Sequence, residues 1–423
     1  MQEARIAEPR FEFSPPIHLM QVGTSDLSIG LMRGQLRFLR EAGFDVSVVS
    51  SPGPRLSAAA EEEGVQAYAV PMARQISVLG DLLSLWRLWR LIRRVRPAIT
   101  NVGTPKAGLL GGLASYLSRV PCRVYTLRGL RCETSTGWKR SCLILAERIA
   151  CRCAHRVICV SNSLHKEAIA LGIADPRKFV VLASGSSNGV DADRFAPSSE
   201  RLRQAAALRQ ELGIPQDAPV VGFVGRFTGD KGIGELIDAY LSLRHSHPEL
   251  YLLLVGDFEE GDPVPIQVRK AIRDDSQIIC TGSVQDPAPY YHAMDVLALP
   301  TYREGFPNTV LEAQAAAKPV VTTNATGAVD SVQDGITGFL VPVGDVESLT
   351  SAIAQLIQRP EMARQIGRRG YERVQREFRQ EVVWKALQRE LLSLLEEKGL
   401  PVPHPVDVNS VRALKSPVNL TLQ

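Results

Sequence analysis

No apolar run of about 18 residues occurs in the chain, the length that a membrane-crossing helix requires. The opening, Met1-Gln-Glu-Ala-Arg-Ile6, lacks the apolar core of a secretory signal. These two absences set the expectation of a cytoplasmic protein. The seven cysteines are an odd number, and six of them lie between Cys122 and Cys159. Cys151-Arg-Cys153 has the wrong spacing for a zinc knuckle and no histidine cluster follows it, so buried free thiols in a reducing compartment are expected. Aromatic residues make up 6% of the chain and the net charge is +4, without the basic–aromatic interleaving of an RNA-binding surface, which argues against nucleic acid as a partner. The first β–α turn holds Gly23 and Gly30 but no G-x-G-x-x-G, which excludes the dinucleotide fingerprint. No internal sequence repeat is evident, and no Asp-x-Asp stands in a loop suited to hold a metal.

What the chain does contain is a twofold run of β–α alternation. Its 423 residues, 45% hydrophobic and 22% charged, suffice for two domains with separate cores. Ile17–Val22, a helical stretch from Leu27 to Ala42, and Phe44–Ser50 form a first βαβ unit. Strands follow at 98–102, 124–128, 156–161 and 180–182, and then at 220–225, 251–257, 278–281, 295–300 and 318–323. The expected organisation is an N-terminal acceptor-side α/β domain at 15–191, a polar linker at 192–217 and a second α/β domain at 218–378 that binds a nucleotide sugar. A helix at 379–398 is expected to return to the first domain, and a loose tail to occupy 399–423. Residues 1–15 are a loose polar lead. Two doubly wound sheets facing across a cleft are the fold class this predicts.

The most informative stretch is Thr301-Tyr-Arg-Glu-Gly-Phe-Pro-Asn-Thr-Val-Leu-Glu312. An apolar strand ends at Pro300, a loop carries Glu304 and Gly305, and Pro307 with Asn308 supplies helix-start chemistry, asparagine being able to cap. The first N–H groups of that helix lack partners inside it and suit an anionic oxygen. Two carboxylates beside an anion hole fit a ligand with both hydroxyls and phosphates, which is a sugar nucleotide. A second motif strengthens this. Val220–Gly225 is a continuous apolar strand ending in Arg226-Phe-Thr-Gly-Asp-Lys231-Gly-Ile-Gly234. Two cations and three glycines before a helix start are what a diphosphate needs. The structural alternative is an ion pair of these cations with Asp230 or Glu235.

Together these strings resemble the retaining GT-B glycosyltransferases of family 4, whose signatures read Glu-Gly-Phe-(Pro/Gly)-x4-Glu and Gly-Arg-x4-Lys-Gly. Gly185–Asp191 and Arg194–Pro197 are similar to that family's interdomain sequence, and the Arg128-Gly-Leu-Arg131 segment resembles capsule, exopolysaccharide and O-antigen transferases. The resemblance implies two Rossmann-like domains facing across a cleft. It also implies metal-independent transfer of a sugar from a nucleotide diphosphate, with no further cofactor. Arg226 and Lys231 would neutralise the leaving diphosphate, Glu304 would hold donor-sugar hydroxyls and Glu312 the ribose diol. Gly305, Phe306, Pro307, Asn308, Thr309 and Val310 would complete the donor side, with Ser283 and Val284 below the base and Gly23 near the phosphates. Thr104, Lys106, Arg128, Arg131 and Glu133 are the candidates for the acceptor. Asn101 and Gly103 stand where the family often has histidines, so no residue is assigned as general base. The donor implied is a UDP sugar, an N-acetylhexosamine, and the acceptor a glycan or a polyprenyl-diphosphate-linked sugar in bacterial surface-polysaccharide assembly.

The Arg-rich helix at 79–96 is read as a sheet cover with solvated arginines, and also as a basic amphipathic face for anionic lipid at the inner surface of the cytoplasmic membrane. Three other functions compete with this reading. A phosphorylase needs a longer chain and a pyridoxal lysine. A GT-B-shaped nucleotide-sugar epimerase would need no acceptor. A non-catalytic sugar-nucleotide-binding subunit would be marked by loss of Glu304, Glu312, Arg226 or Lys231, and all four are present.

Overall fold

The computed structural model describes residues 17–73, 77–259, 261, 263–403 and the backbone of 420–421. The polar lead at 1–15 and most of the tail lie outside the described residues. Two wholly parallel sheets form the molecule. The first is built from β1 (Ile17–Val22), β2 (Phe44–Ser50), β3 (Gln66–Ala69), β4 (Ile99–Gly103), β5 (Cys122–Leu127), β6 (Arg156–Cys159) and β7 (Phe179–Val181). The second holds β8 (Val220–Val224), β9 (Tyr251–Val255), β10 (Ile278–Cys280), β11 (Val296–Leu299), β12 (Val320–Thr323) and β13 (Phe339–Val341). A two-residue β14 (Leu420–Thr421) pairs in parallel with β3, so the tail is not loose throughout. The spatial orders are β14-β3-β2-β1-β4-β5-β6-β7 and β10-β9-β8-β11-β12-β13. Each reverses direction once, between β1 and β4 and between β8 and β11. Ligands of open parallel sheets lie beyond the strand ends at such reversals.

Strands buried on both faces must be apolar throughout, and Val220-Val-Gly-Phe-Val224 is buried at all five positions. Gly222 is small because Met294 packs where its Cβ would be, with Sδ 2.3 Å from that position. The helix Gln380–Glu397 crosses back to the first sheet. Its Ala386, Leu387, Leu391, Leu394 and Leu395 share one buried cluster with Ile17, Leu19, Leu36 and Val46.

Three local readings are corrected. The helix expected over Leu27–Ala42 is a 3-10 turn, Asp26–Met32, followed by a short helix, Gln35–Glu41. The break falls at Gly34, whose φ is +80°, and the Trp384 ring fills the space a Cβ would need. The stretch 192–217 is not a plain polar linker. It contains helices Ala192–Phe195 and Ser199–Glu211, and Phe195 and Ala205 are buried in the core of the second sheet. Of the seven free cysteines, five are buried as expected, whereas Cys142 and Cys280 are exposed.

Candidate active site

The C-terminal end of β8 and the loop after β11 supply the densest polar cluster. Beyond β8, the chain turns through a 3-10 segment, Gly229–Lys231, into helix Ile233–Arg244. Gly232 carries the turn with φ +70°, and a Cβ there would lie 2.0 Å from the Pro300 carbonyl oxygen. That close approach brings the two motifs together. Lys231 Nζ donates to Glu304 Oε1, and each side chain retains 15% exposure, so the pair is sheltered but reachable. Asp230 does not take either cation. Its carboxylate accepts from the Thr228 hydroxyl (2.6 Å) and from Arg303 Nη2 (2.8 Å). Burial pushes the Asp230 pKa up, but that hydroxyl and the charges of Arg303, Lys231 and Arg226 outweigh it and hold the group below the usual carboxylate range. Arg226 pairs with Glu259, a partner not foreseen, and is half exposed. Glu235 accepts from the Tyr302 hydroxyl rather than from a cation.

Glu304 is fixed from both domains. Its N–H donates to the Thr326 carbonyl (2.9 Å). A Cβ on Gly305 would sit 2.2 Å from the Arg128 carbonyl oxygen, and one on Gly327 would sit 2.4 Å from the Gly305 oxygen. The loop is therefore clasped between the end of β5 and the turn after β12, and only glycine fits. Arg303 Nε donates across the same seam to Thr134 Oγ1 (3.0 Å). Ser163 N–H donates to Asp330 (2.9 Å), while the Ser163 hydroxyl accepts from Gly327 N–H (2.7 Å). Phe306 lies against the Phe378 ring (5.3 Å between centroids) and close to Gly185.

The helix after this loop runs Asn308–Ala315. Asn308 is its first residue and makes no cap. Pro307 occupies the cap position, and no side chain bonds the helix end. Val310 N–H is used by the Pro307 carbonyl (3.2 Å), leaving those of Asn308 and Thr309 at the helix start. One turn on, Glu312 accepts a hydrogen bond from the fully buried Tyr291 hydroxyl (2.7 Å). Burial pushes the Glu312 carboxyl up to about 7, against the lowering effects of Tyr291 and Arg194. Ser283, exposed, and Val284, half buried, follow β10 just after the Gly256–Gly282 bridge.

On the other side of the cleft, Gly23 follows β1 and is buried, with the Ser28 hydroxyl where its Cβ would be. Thr104 has φ +76°, a conformation rare for a β-branched residue, and its hydroxyl is held by Thr24 (2.6 Å). Lys106 is not an exposed cation: its Nζ lies 2.7 Å from Asp81, and both side chains are largely buried. Arg131 is exposed. Glu133 is largely buried, and its Oε2 has no hydrogen-bond partner among the described residues. Burial raises its pKa, against the lowering effects of Thr326 and the Arg303 charge. Arg128 lies beneath Gly103, whose Cβ would be 3.1 Å from the Arg128 Nε. Glu304 and Lys231 thus meet as one pair, the Arg128 backbone packs on Gly305 at the seam, and Glu312 lies on the helix that follows the loop. Lys106 is engaged by Asp81, and Arg131 is exposed. Tyr291, Arg303, Thr326 and Glu259 were missed, since their roles arise from contacts far apart in sequence.

Known proteins bear directly on this arrangement. Residues 32–185 match the model of a glycosyl transferase 4-like domain and residues 218–359 that of glycosyl transferases group 1. The chain is 37% identical over 380 residues to the capsular polysaccharide biosynthesis glycosyltransferase CapM of Staphylococcus aureus, covering 90% of this chain and 97% of that protein. The chain is a family 4 glycosyltransferase. A second relative of this transferase is the Escherichia coli UDP-Gal:alpha-D-GlcNAc-diphosphoundecaprenol alpha-1,3-galactosyltransferase, 28% identical over 80% of this chain and 88% of that enzyme. The fold of the transferase is GT-B. Anabaena HepE, solved with UDP and glucose, superposes with a TM-score of 0.73 over 88% of this chain and 98% of that one, at 22% identity.

Proposed function

We propose that this glycosyltransferase moves a hexosyl group, an N-acetylhexosamine, from UDP to a polyprenyl-diphosphate-linked or glycan acceptor, with retention, in bacterial surface-polysaccharide synthesis. The observation that carries the reading is the Lys231–Glu304 pair at the β8/β11 reversal, with Arg226 beside it. A diphosphate entering there replaces Glu304 as the partner of Lys231. Negative charge growing on the leaving oxygen is met by the fixed charges of Lys231 and Arg226 and by the helix start at Asn308 and Thr309. Glu304, released from the lysine, accepts from sugar hydroxyls, and Glu312 accepts from the ribose diol. These protein cations neutralise the leaving group without a metal ion. Displacement on the face from which UDP departs requires no protein nucleophile and preserves the anomeric configuration. The UDP-sugar chemistry named for HepE and for the E. coli relative supports uridine as the base.

The acceptor chemistry is supported by a second surface. Helices Val78–Val95, Pro105–Leu117 and Gly137–Cys153 pack side by side on one face of the first sheet. Their two acids are withdrawn, Asp81 onto Lys106 and Glu147 onto the Tyr125 hydroxyl. Exposed among them are Leu79 (82%) and Trp138 (80%), with Val78, Leu82 and Trp86. Arg90 and Arg93 lie over the Trp86 and Trp89 rings. An apolar rim with arginines around it suits an anionic bilayer. The exposed residues lie toward the helix N-termini, which is the cleft end of a parallel α/β layer. No described helix is long and apolar enough to cross a membrane.

The test is transfer from a UDP-sugar panel to a membrane lipid extract, read as UDP release together with a lipid-linked product whose anomeric configuration is set by NMR. An altered sugar nucleotide without acceptor would identify an epimerase instead, and tight UDP binding without turnover a non-catalytic subunit. Flotation with phosphatidylglycerol-containing vesicles, lost in a Leu79→Glu/Trp138→Glu variant, tests the lipid face. Equal flotation of variant and parent removes that face from the proposal.

A further inference from the structure

A small recess opens at the ends of β1, β4 and β5, on the first sheet's side of the seam. It is lined by Gln21, Gly23, Asn101, Gly103, Thr104 and Arg128, among others, with a cavity of about 10 Å³. That is room for one water-sized group. Two N–H donors lining it are buried without a hydrogen-bond partner among the described residues: Gln21 Nε2 and Arg128 Nη1. One comes from β1 and the other from the residue that follows β5, and native proteins rarely leave even one buried donor unmet. Arg128 also has no carboxylate counter-charge among the described residues. Asp81 is engaged by Lys106, and Glu133, whose own Oε2 is buried without a partner among the described residues, exerts no charge effect on Arg128. Burial lowers the Arg128 pKa to about 10, so the side chain stays cationic at neutral pH. Gly103 leaves the space the guanidinium occupies, since a Cβ would meet its Nε at 3.1 Å.

We propose that Arg128 and Gln21 form a one-oxygen pocket for a phosphoryl oxygen of a phosphorylated substrate, a subsite separate from the Arg226–Lys231 cluster. A hydroxyl would satisfy Gln21 but leave the guanidinium charge uncompensated, whereas a terminal phosphoryl oxygen satisfies both. The size fits one oxygen of a tetrahedral group whose remainder lies in the cleft. The location fits as well, because the Arg128 carbonyl is the atom that Gly305 packs against, one residue from Glu304. The recess therefore borders the place where sugar and diphosphate meet. Two groups carry this chemistry in the reaction proposed above, on which this inference rests: the donor diphosphate and the acceptor's lipid-linked phosphate.

The experiment is calorimetric titration of the full-length protein with UDP, with farnesyl diphosphate and with farnesol, for the parent, Arg128→Gln, Arg128→Lys and Gln21→Leu. Expected is at least a tenfold loss of affinity in Arg128→Gln for one diphosphate, partial recovery in Arg128→Lys, and no change for farnesol. A loss confined to farnesyl diphosphate assigns the oxygen to the acceptor, and one confined to UDP assigns it to the donor. Gln21→Leu should show the same selectivity and decides the matter if Arg128→Gln does not fold. Parent-like affinities for both diphosphates in Arg128→Gln and Gln21→Leu overturn the pocket, which then holds only water, while leaving the donor site intact. A parent protein that binds no UDP overturns the proposed function together with this inference.

Discussion

Lys231 and Glu304, 73 residues apart in sequence, meet as a sheltered ion pair where the two halves of the second sheet diverge. On the proposed mechanism each holds the other's place until a diphosphate and a sugar arrive to separate them. Glu304→Gln keeps the shape and removes the charge. It is expected to lower kcat by about 10²- to 10³-fold, the range seen when a preorganised polar group is deleted. UDP affinity should rise and not fall, since the diphosphate no longer has to displace the carboxylate from Lys231, while the lost contact is to the sugar. Steady-state kinetics beside UDP titration check this; unchanged transfer would remove Glu304 from catalysis.

Gly305 sets the fit between the domains. An alanine Cβ would enter the Arg128 carbonyl at 2.2 Å, backbone against backbone, so the seam must open. Gly305→Ala is expected to reduce kcat about a hundredfold, as misplacement by an ångström does. Far-ultraviolet circular dichroism should be unchanged. Near-parental activity would show that the clasp is not needed for transfer.

The Glu312 carboxyl is pushed up to about 7 by burial, so near neutrality it is part protonated. An ionised carboxylate accepts from both ribose hydroxyls, whereas a carboxylic acid does so poorly. UDP-glucose affinity should therefore fall as pH drops below 7, by about 30-fold between pH 8 and pH 5.5 if only the ionised form binds. UDP-glucose is the right probe because its diphosphate does not titrate in that window. In Glu312→Gln the affinity should be weak and flat with pH, and a parental slope there would assign the titration to another group.

Glu147 carries a structural counterpart. It is buried beneath Tyr125, and burial pushes its pKa up to about 7 despite the Tyr125 hydrogen bond. A carboxyl raised above its unfolded value of 4.5 favours the folded state while protonated. Its stabilisation is present below pH 4.5 and lost as pH rises through about 7. Glu147→Gln should thus match the parent at about pH 4 and exceed its stability by roughly 1–3 kcal/mol at about pH 8.5. Thermal unfolding at both pH values decides it, and equal stability at pH 8.5 would contradict the burial argument.

The strands and the loop leading into the helix at Asn308 were legible because their signals are local. Continuous apolar runs such as Val220–Val224 have no other stable place than inside a parallel sheet, and Glu304 to Glu312 forms one short string. What escaped was set by distant contacts. The apolar period from Leu27 to Ala42 continues through Gly34, and only the Trp384 ring, some 350 residues later, explains the break. Glu259 beside Arg226, Tyr291 beneath Glu312 and Gln21 beside Arg128 are likewise pairings that no spacing encodes. Asn308 looked like a cap by type, yet Pro307 already ends the preceding loop one residue earlier.

The most direct test is the melting temperature of the purified protein with UDP-glucose, GDP-mannose and dTDP-glucose, for the parent and for an Arg226→Gln/Lys231→Gln variant. A ligand at a hundredfold excess over its Kd stabilises by about 2.7 kcal/mol, a shift of several degrees. The account predicts a clear rise with the uridine sugar alone and its loss in the double variant. No rise with any of the three, or a rise that survives in the double variant, would contradict the donor site at Lys231 and Glu304.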